Sequence, residues 1–121
     1  VAALDSHQLK DLYQCAQTYE LDVLVEVHNQ EELDVALEID SRLIGVNNRN
    51  LKTFETSLKT TINLLKNIPQ NKIVITESGI HNLQNVNDMI NENVFGFLVG
   101  EAFMRAENPG QELERLFKNF L

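Results

Sequence analysis

The stretch Val23-Leu24-Val25-Glu26-Val27-His28 is followed by Asn29 and then by Leu33, Ala36 and Leu37. A run this rich in valine and leucine is expected to form a strand buried on both faces, the habit of parallel sheets. Asn29 is placed to cap the next helix, with Glu32 three residues on in a capping-box arrangement and the three apolar residues on one stripe. Strand, polar or glycine punctuation and helix then recur. Leu43-Ile44-Gly45-Val46-Asn47 and Ile73-Val74-Ile75-Thr76 predict the second and third strands, and residues 95–99 the last. A helix carrying Leu58, Ile62 and Leu65 stops before Pro69, because proline restricts the residue ahead of it. Leu83, Val86 and Ile90 mark another helix, and the final one starts at Pro109 with Leu113, Leu116, Phe117, Phe120 and Leu121 on one face. Ahead of the first strand, Asp5-Ser6 are cap candidates for an opening helix with Leu9, Leu12, Tyr13 and Ala16 on one side, ending near Leu21-Asp22. Right-handed crossovers make such strands parallel, with all carboxyl ends at the one pole where α/β folds bind ligands. The fold class is therefore α/β, built of parallel βα units. Four such units are about half of a (βα)8 barrel, which takes roughly 250 residues; a small open sheet is the other architecture of this length.

The composition sets outer bounds. With 121 residues, residues 1–121 are expected to form a single domain. Hydrophobic residues make up 43% and charged residues 23%, with no apolar run near the roughly 18 residues of a membrane helix. A net charge of −8 without any Lys/Arg cluster argues against a nucleic-acid surface. The single cysteine, Cys15, excludes an internal disulfide framework and a Cys-based zinc site, and its place beside an apolar helix face suggests a small core residue. Val1-Ala2-Ala3-Leu4 has no cationic leader character, so a cytoplasmic protein is expected. Opening on apolar residues without Met reads as an element entered partway.

Polar residues interrupt or end each apolar run at the pole: Glu26, Asn47, Glu77-Ser78 and Gly100. Convergence of such groups from different strands is how an active site is built on this fold. Glu26 between two valines is either a functional carboxylate or half of a structural ion pair. Asn47 and Asn48 fit a simple strand end and turn as well as a site. Gly79 and Gly100, each closing a strand, suggest a cradle in which backbone N–H groups approach a phosphate. Arg49 could clamp a carboxylate or phosphate, or pair with Glu55. His7, His28 and His81 have no metal-ligand spacing and read as structural or surface residues; no metal is expected.

Four motifs in order, Leu24-Val25-Glu26-Val27-His28, Ile44-Gly45-Val46-Asn47-Asn48-Arg49-Asn50-Leu51, Glu77-Ser78-Gly79-Ile80 and Leu98-Val99-Gly100-Glu101, closely resemble the carboxyl-terminal half of the indole-3-glycerol-phosphate synthase family. The resemblance implies the second half, about strands five to eight, of a TIM (βα)8 barrel. It implies a cofactor-free carboxy-lyase of tryptophan biosynthesis, acting on the phosphorylated substrate 1-(2-carboxyphenylamino)-1-deoxyribulose 5-phosphate to give indole-3-glycerol phosphate with loss of CO2 and water. On this resemblance Glu26 transfers a proton, Asn47 orients hydroxyl groups, Glu77 and Ser78 contact the substrate, and Gly79, Gly100 and the Glu101 N–H hold its phosphate. Leu51 and Leu98 lie near the aromatic ring, and Arg49 near the substrate. The family's amino-terminal helix, its strand-one glutamate and lysine and its strand-three general-acid lysine have no counterpart here. The isolated chain is accordingly expected to be inactive, with unpaired edge strands near Val23 and Phe95 that drive self-association or pairing with an amino-terminal half-barrel. The rival readings are another phosphate-binding barrel enzyme and a non-catalytic half-barrel that binds a phosphorylated ligand. A flavodoxin-type sheet would need a glycine-bearing loop after the first strand, which Glu26-Val27-His28-Asn29 does not supply.

Overall fold

A computed structural model describes residues 1–120. The elements are α1 (Ser6–Thr18), β1 (Leu24–Val27), α2 (Gln30–Glu38), β2 (Leu43–Asn47), α3 (Lys59–Leu65), β3 (Ile73–Glu77), α4 (Leu83–Asn91), β4 (Gly96–Leu98), α5 (Glu101–Arg105) and α6 (Pro109–Phe117), followed by a 3-10 turn over Lys118–Phe120. The four strands pair in chain order, all parallel, consistent with a piece of a (βα)8 barrel. Register sorts the side chains into two faces. Val25, Ile44 and Val74 form one row, and Val27, Val46, Thr76 and Phe97 another. Both rows lie under the helices, packed with Leu33, Ala36 and Leu64 at one end and Val86, Met89 and Leu116 at the other.

The opposite face is exposed at Leu24, Ile73 and Leu98 but buried at Asn47 and Glu77, so the expectation that the first strand is buried on both sides needs correction. β1 alternates, with Val25 and Val27 buried but Leu24 and Glu26 exposed. The row Leu24, Leu43, Ile73 and the row Asn47, Glu77, Leu98 belong to this face, where Leu24, Ile73 and Leu98 are 37%, 45% and 55% exposed. The edges are β1 and β4, as expected. Among the described residues no helix is long and apolar enough to cross a membrane.

The caps explain most of the local boundaries. Asp5 accepts from the Gln8 N–H, Asn29 from Glu32 and Asn108 from Gln111, with Pro109 at the first helical position. α1 ends at Thr18, short of Leu21-Asp22, because Glu20 turns left-handed (φ 57) and the Glu20 and Leu21 N–H groups close back on Gln17 O and Ala16 O. Asp40 and Asn93 end α2 and α4 in the same way. Three further expectations need correction. Cys15 is exposed rather than a core residue, since it sits on α1 away from Leu9, the one residue that helix buries. The last strand is shorter than residues 95–99, and Phe95 is 69% exposed. On the final helix, Leu116 is buried but Leu113 and Phe120 are largely exposed; Leu121 lies outside the described residues.

Candidate functional site

The carboxyl ends of the strands surround a cavity of about 350 Å³. It is lined by nine of the ten residues singled out from sequence: Glu26, Asn47, Arg49, Glu77, Ser78, Gly79, Leu98, Gly100 and Glu101. Leu51 is the tenth. It does not line the cavity and is 56% exposed, in the turn that follows the Asn50 side-chain cap. Ile80, His81 and Val99 complete the wall. His81, read as structural or surface, thus stands at the cavity because the Gly79 turn directs the chain along its rim; a lone exposed histidine gave no signal of this.

Glu26 and Asn47 are linked side chain to side chain, Asn47 Nδ2 donating to Glu26 Oε1 at 3.2 Å. The other end of the amide is also fixed, since Asn47 Oδ1 accepts the Arg49 N–H at 2.9 Å. Such a doubly held amide has one orientation. Arg49 reaches Glu101 (2.6 Å), not Glu55, because the loops after β2 and β4 meet at the same pole. Glu101 also binds Arg105 at 2.8 Å. The Arg49 hydrogen bond, assisted by the Arg105 charge, holds the Glu101 carboxyl below its ordinary range.

Glu77 is the buried acid of the site, 3% exposed. Gly45 makes this possible: a Cβ there would lie 2.1 Å from Glu77 Oε1. That oxygen has no hydrogen-bond donor. Burial, then the hydrogen bond and charge of Glu26, raise the Glu77 carboxyl from 4.5 to about 8. A carboxyl raised this far keeps its proton at neutral pH, so Glu77 can donate a hydrogen bond into the cavity. The consequence for stability has a definite sign. Glu77 binds its proton more tightly folded than unfolded, so its contribution is complete below about pH 4.5 and is lost as pH rises to about 8. Denaturant midpoints across that range are expected to fall with pH in the native chain and to fall less in Glu77→Gln. Identical slopes would contradict the assignment.

The turn after β3 carries two successive left-handed residues, Ser78 (φ 63) and Gly79 (φ 80). Glycine takes this conformation freely, serine at a cost. Gly79 also lies against Thr56, whose Cγ2 is 2.9 Å from where a Cβ would stand. Gly100, by contrast, has an ordinary φ of −126, and a Cβ there would meet nothing within 4 Å. Its openness leaves room beside the first turn of α5. Among the described residues no group of three or more His, Cys, Asp or Glu is arranged to hold a metal ion.

A family model described as indole-3-glycerol phosphate synthase matches residues 1–116. The chain is 54% identical over 117 residues to the indole-3-glycerol phosphate synthase of Polynucleobacter asymbioticus, covering 97% of this chain and 44% of that relative. It therefore spans less than half the length of this curated relative. Among solved structures, a chain of the Amycolatopsis orientalis BexX/CysO complex superposes with a TM-score of 0.70 at 15% identity, over 94% of this chain and 47% of that one. At that identity the likeness concerns the fold alone.

Proposed function

The chain belongs to the indole-3-glycerol phosphate synthase family, and from that premise we propose that it is the carboxyl-terminal half, strands five to eight, of a (βα)8 carboxy-lyase of tryptophan biosynthesis. The observation that carries the reading is the convergence of Glu26, Asn47, Glu77 and Ser78, from three different strands, on one cavity rimmed by Gly79 and Gly100. In this reaction 1-(2-carboxyphenylamino)-1-deoxyribulose 5-phosphate closes its ring and loses CO2 and water, leaving indole-3-glycerol phosphate. Glu26 moves the proton, held in position by Asn47, and the buried Glu77 donates a hydrogen bond to the substrate. Leu98 packs against the aromatic ring, and Arg49, steadied by Glu101, faces the substrate's anionic groups. Gly79, Gly100 and the Glu101 N–H hold the phosphate.

No lysine lines the cavity among the described residues, and with Glu77 read as a hydrogen-bond donor to the substrate, the general-acid lysine of the reaction is sought elsewhere. We assign it to an amino-terminal half-barrel seated on the exposed β1 and β4 edges, and read the chain alone as inactive. Its place is the cytoplasm, with the other soluble steps of amino-acid synthesis. The same lack of a general-acid lysine favours one second reading, a half-barrel that binds a phosphorylated ligand without turning it over.

Gly100→Val separates the phosphate cradle from the fold. Nothing lies within 4 Å of the added carbon, but φ −126 with ψ −56 falls outside the main allowed regions, so a loss of about 1 kcal/mol in stability is expected. Affinity of the assembled barrel for indole-3-glycerol phosphate, measured by titration calorimetry, is expected to fall at least about tenfold, the loss of a single good contact of about 1.4 kcal/mol. Unchanged affinity would overturn the cradle.

A further inference from the structure

Asn48 is 1% exposed and uses every hydrogen-bonding position of its side-chain amide. Nδ2 donates to Thr76 Oγ1 at 2.8 Å and to the Ser78 carbonyl at 3.1 Å. Oδ1 accepts the Thr61 N–H at 3.2 Å and the Thr61 hydroxyl at 2.8 Å. The two threonine hydroxyls, both fully buried, are 3.0 Å apart. Proton counting then settles their direction. Thr61 spends its hydrogen on Asn48 Oδ1, so Thr76 must donate to Thr61, and Asn48 donates to Thr76. The result is a closed ring in which each group gives one proton and receives one, locking the amide in a single orientation. One N–H is left over, and it points at the Ser78 carbonyl. The Asn48 backbone adds a second tie, its N–H donating to the Glu77 carbonyl at 2.9 Å.

We infer that Asn48 is the positioning residue of the cavity: the Asn48-Thr61-Thr76 ring aims one N–H at the Ser78 carbonyl and thereby fixes the left-handed Ser78-Gly79 turn. Asn48 itself does not line the cavity; it acts through Ser78 from the helix side of the sheet. A left-handed serine costs about 1–2 kcal/mol, so an untethered turn would relax and carry the Ser78 side chain and Gly79 N–H away from the site. The consequence for catalysis rests on the reading of Ser78 and Gly79 as substrate contacts.

Two variants part this role from ordinary core satisfaction. Asn48→Asp keeps the volume but has no N–H for Ser78, whereas Thr61→Val breaks the ring while leaving the Ser78 tether. In the full chain, the strong intraresidue amide-to-Hα NMR cross-peak of a left-handed residue is expected to weaken several-fold at Ser78 in Asn48→Asp and to keep its strength in Thr61→Val. In the assembled barrel, Asn48→Asp is expected to lower turnover about 100-fold, the cost of misplacing a reacting partner by about 1 Å, and Thr61→Val far less. A cross-peak of unchanged strength in Asn48→Asp, or equal loss of turnover in both variants, would overturn the inference. A weakened cross-peak with turnover intact would uphold the tether and overturn Ser78 as a substrate contact. Should Asn48→Asp fail to fold, Ser78→Gly in that background decides. Glycine needs no tether, so recovery of folding supports the role and continued failure overturns it.

Discussion

Glu26→Gln, made in a barrel completed by an amino-terminal half, is expected to lower turnover by roughly 10²- to 10⁴-fold, the range that general acid–base catalysis supplies. Stability is expected to change by no more than about 0.5 kcal/mol. The asymmetry follows from where Glu26 sits. Its side chain stands on the exposed face of an edge strand, so it contributes little to the core. Glutamine keeps the shape, and its carbonyl still accepts the Asn47 N–H that Glu26 accepts now. What is lost is the charge and the capacity to take a proton. A second effect accompanies the first: Glu26 is part of what raises the Glu77 carboxyl, so in the variant burial alone raises it and its titration moves toward the ordinary range. Product fluorescence against pH, with denaturant midpoints, reads both. Turnover retained while stability collapses would make Glu26 a structural carboxylate.

The parts of this molecule that follow from periodicity were readable from sequence. Val25 and Val27, Ile44 and Val46, and Leu33 and Ala36 declared strands and helices, and the crossover rule placed their ends together. What periodicity does not carry is the partner of each face. Leu24 and Val25 look alike as residues, yet one faces helices and the other the open side, and an unbroken apolar run does not say whether its second face is covered by the same chain. The end of α1 falls short of Leu21-Asp22 for another reason. Glycine is the usual left-handed residue after a helix, but here Glu20, Asp40 and Asn93 take that conformation, and Glu20 carries no composition cue.

The candidate site divides in the same way. Residues at strand ends were found because β register brings Asn47, Glu77 and Leu98 into one row regardless of loop detail. Leu51 lies away from the cavity because a loop residue's position depends on turn geometry, here set by Asn50 Oδ1 accepting the Lys52 and Thr53 N–H groups. Arg49 was ambiguous because Glu55 is near in sequence and Glu101 only in space. The space that Gly45 leaves for Glu77 was invisible, since glycine inside a strand does not reveal which side chain from the neighbouring strand crosses over it.

The central claim is that this chain carries one half of a catalytic barrel, its cavity proposed to hold the proton-transfer carboxylates and phosphate cradle but no general-acid lysine. Fluorescence-detected formation of indole-3-glycerol phosphate from 1-(2-carboxyphenylamino)-1-deoxyribulose 5-phosphate tests it most directly, with the chain alone and then mixed with the four amino-terminal βα units of a family relative. The chain alone is expected to give no product. The exposed Leu24, Phe95 and Leu98 at the two edges are the apolar surface on which the halves are expected to associate. Once they do, the added half supplies the acid, and removing one well-placed catalytic group typically costs about 10²- to 10⁴-fold, so the mixture is expected to exceed either half by at least about 100-fold. Product only from the mixture is the predicted result. Two halves that fold and associate yet form no product would contradict it and leave a ligand-binding half-barrel in which Glu26 is structural.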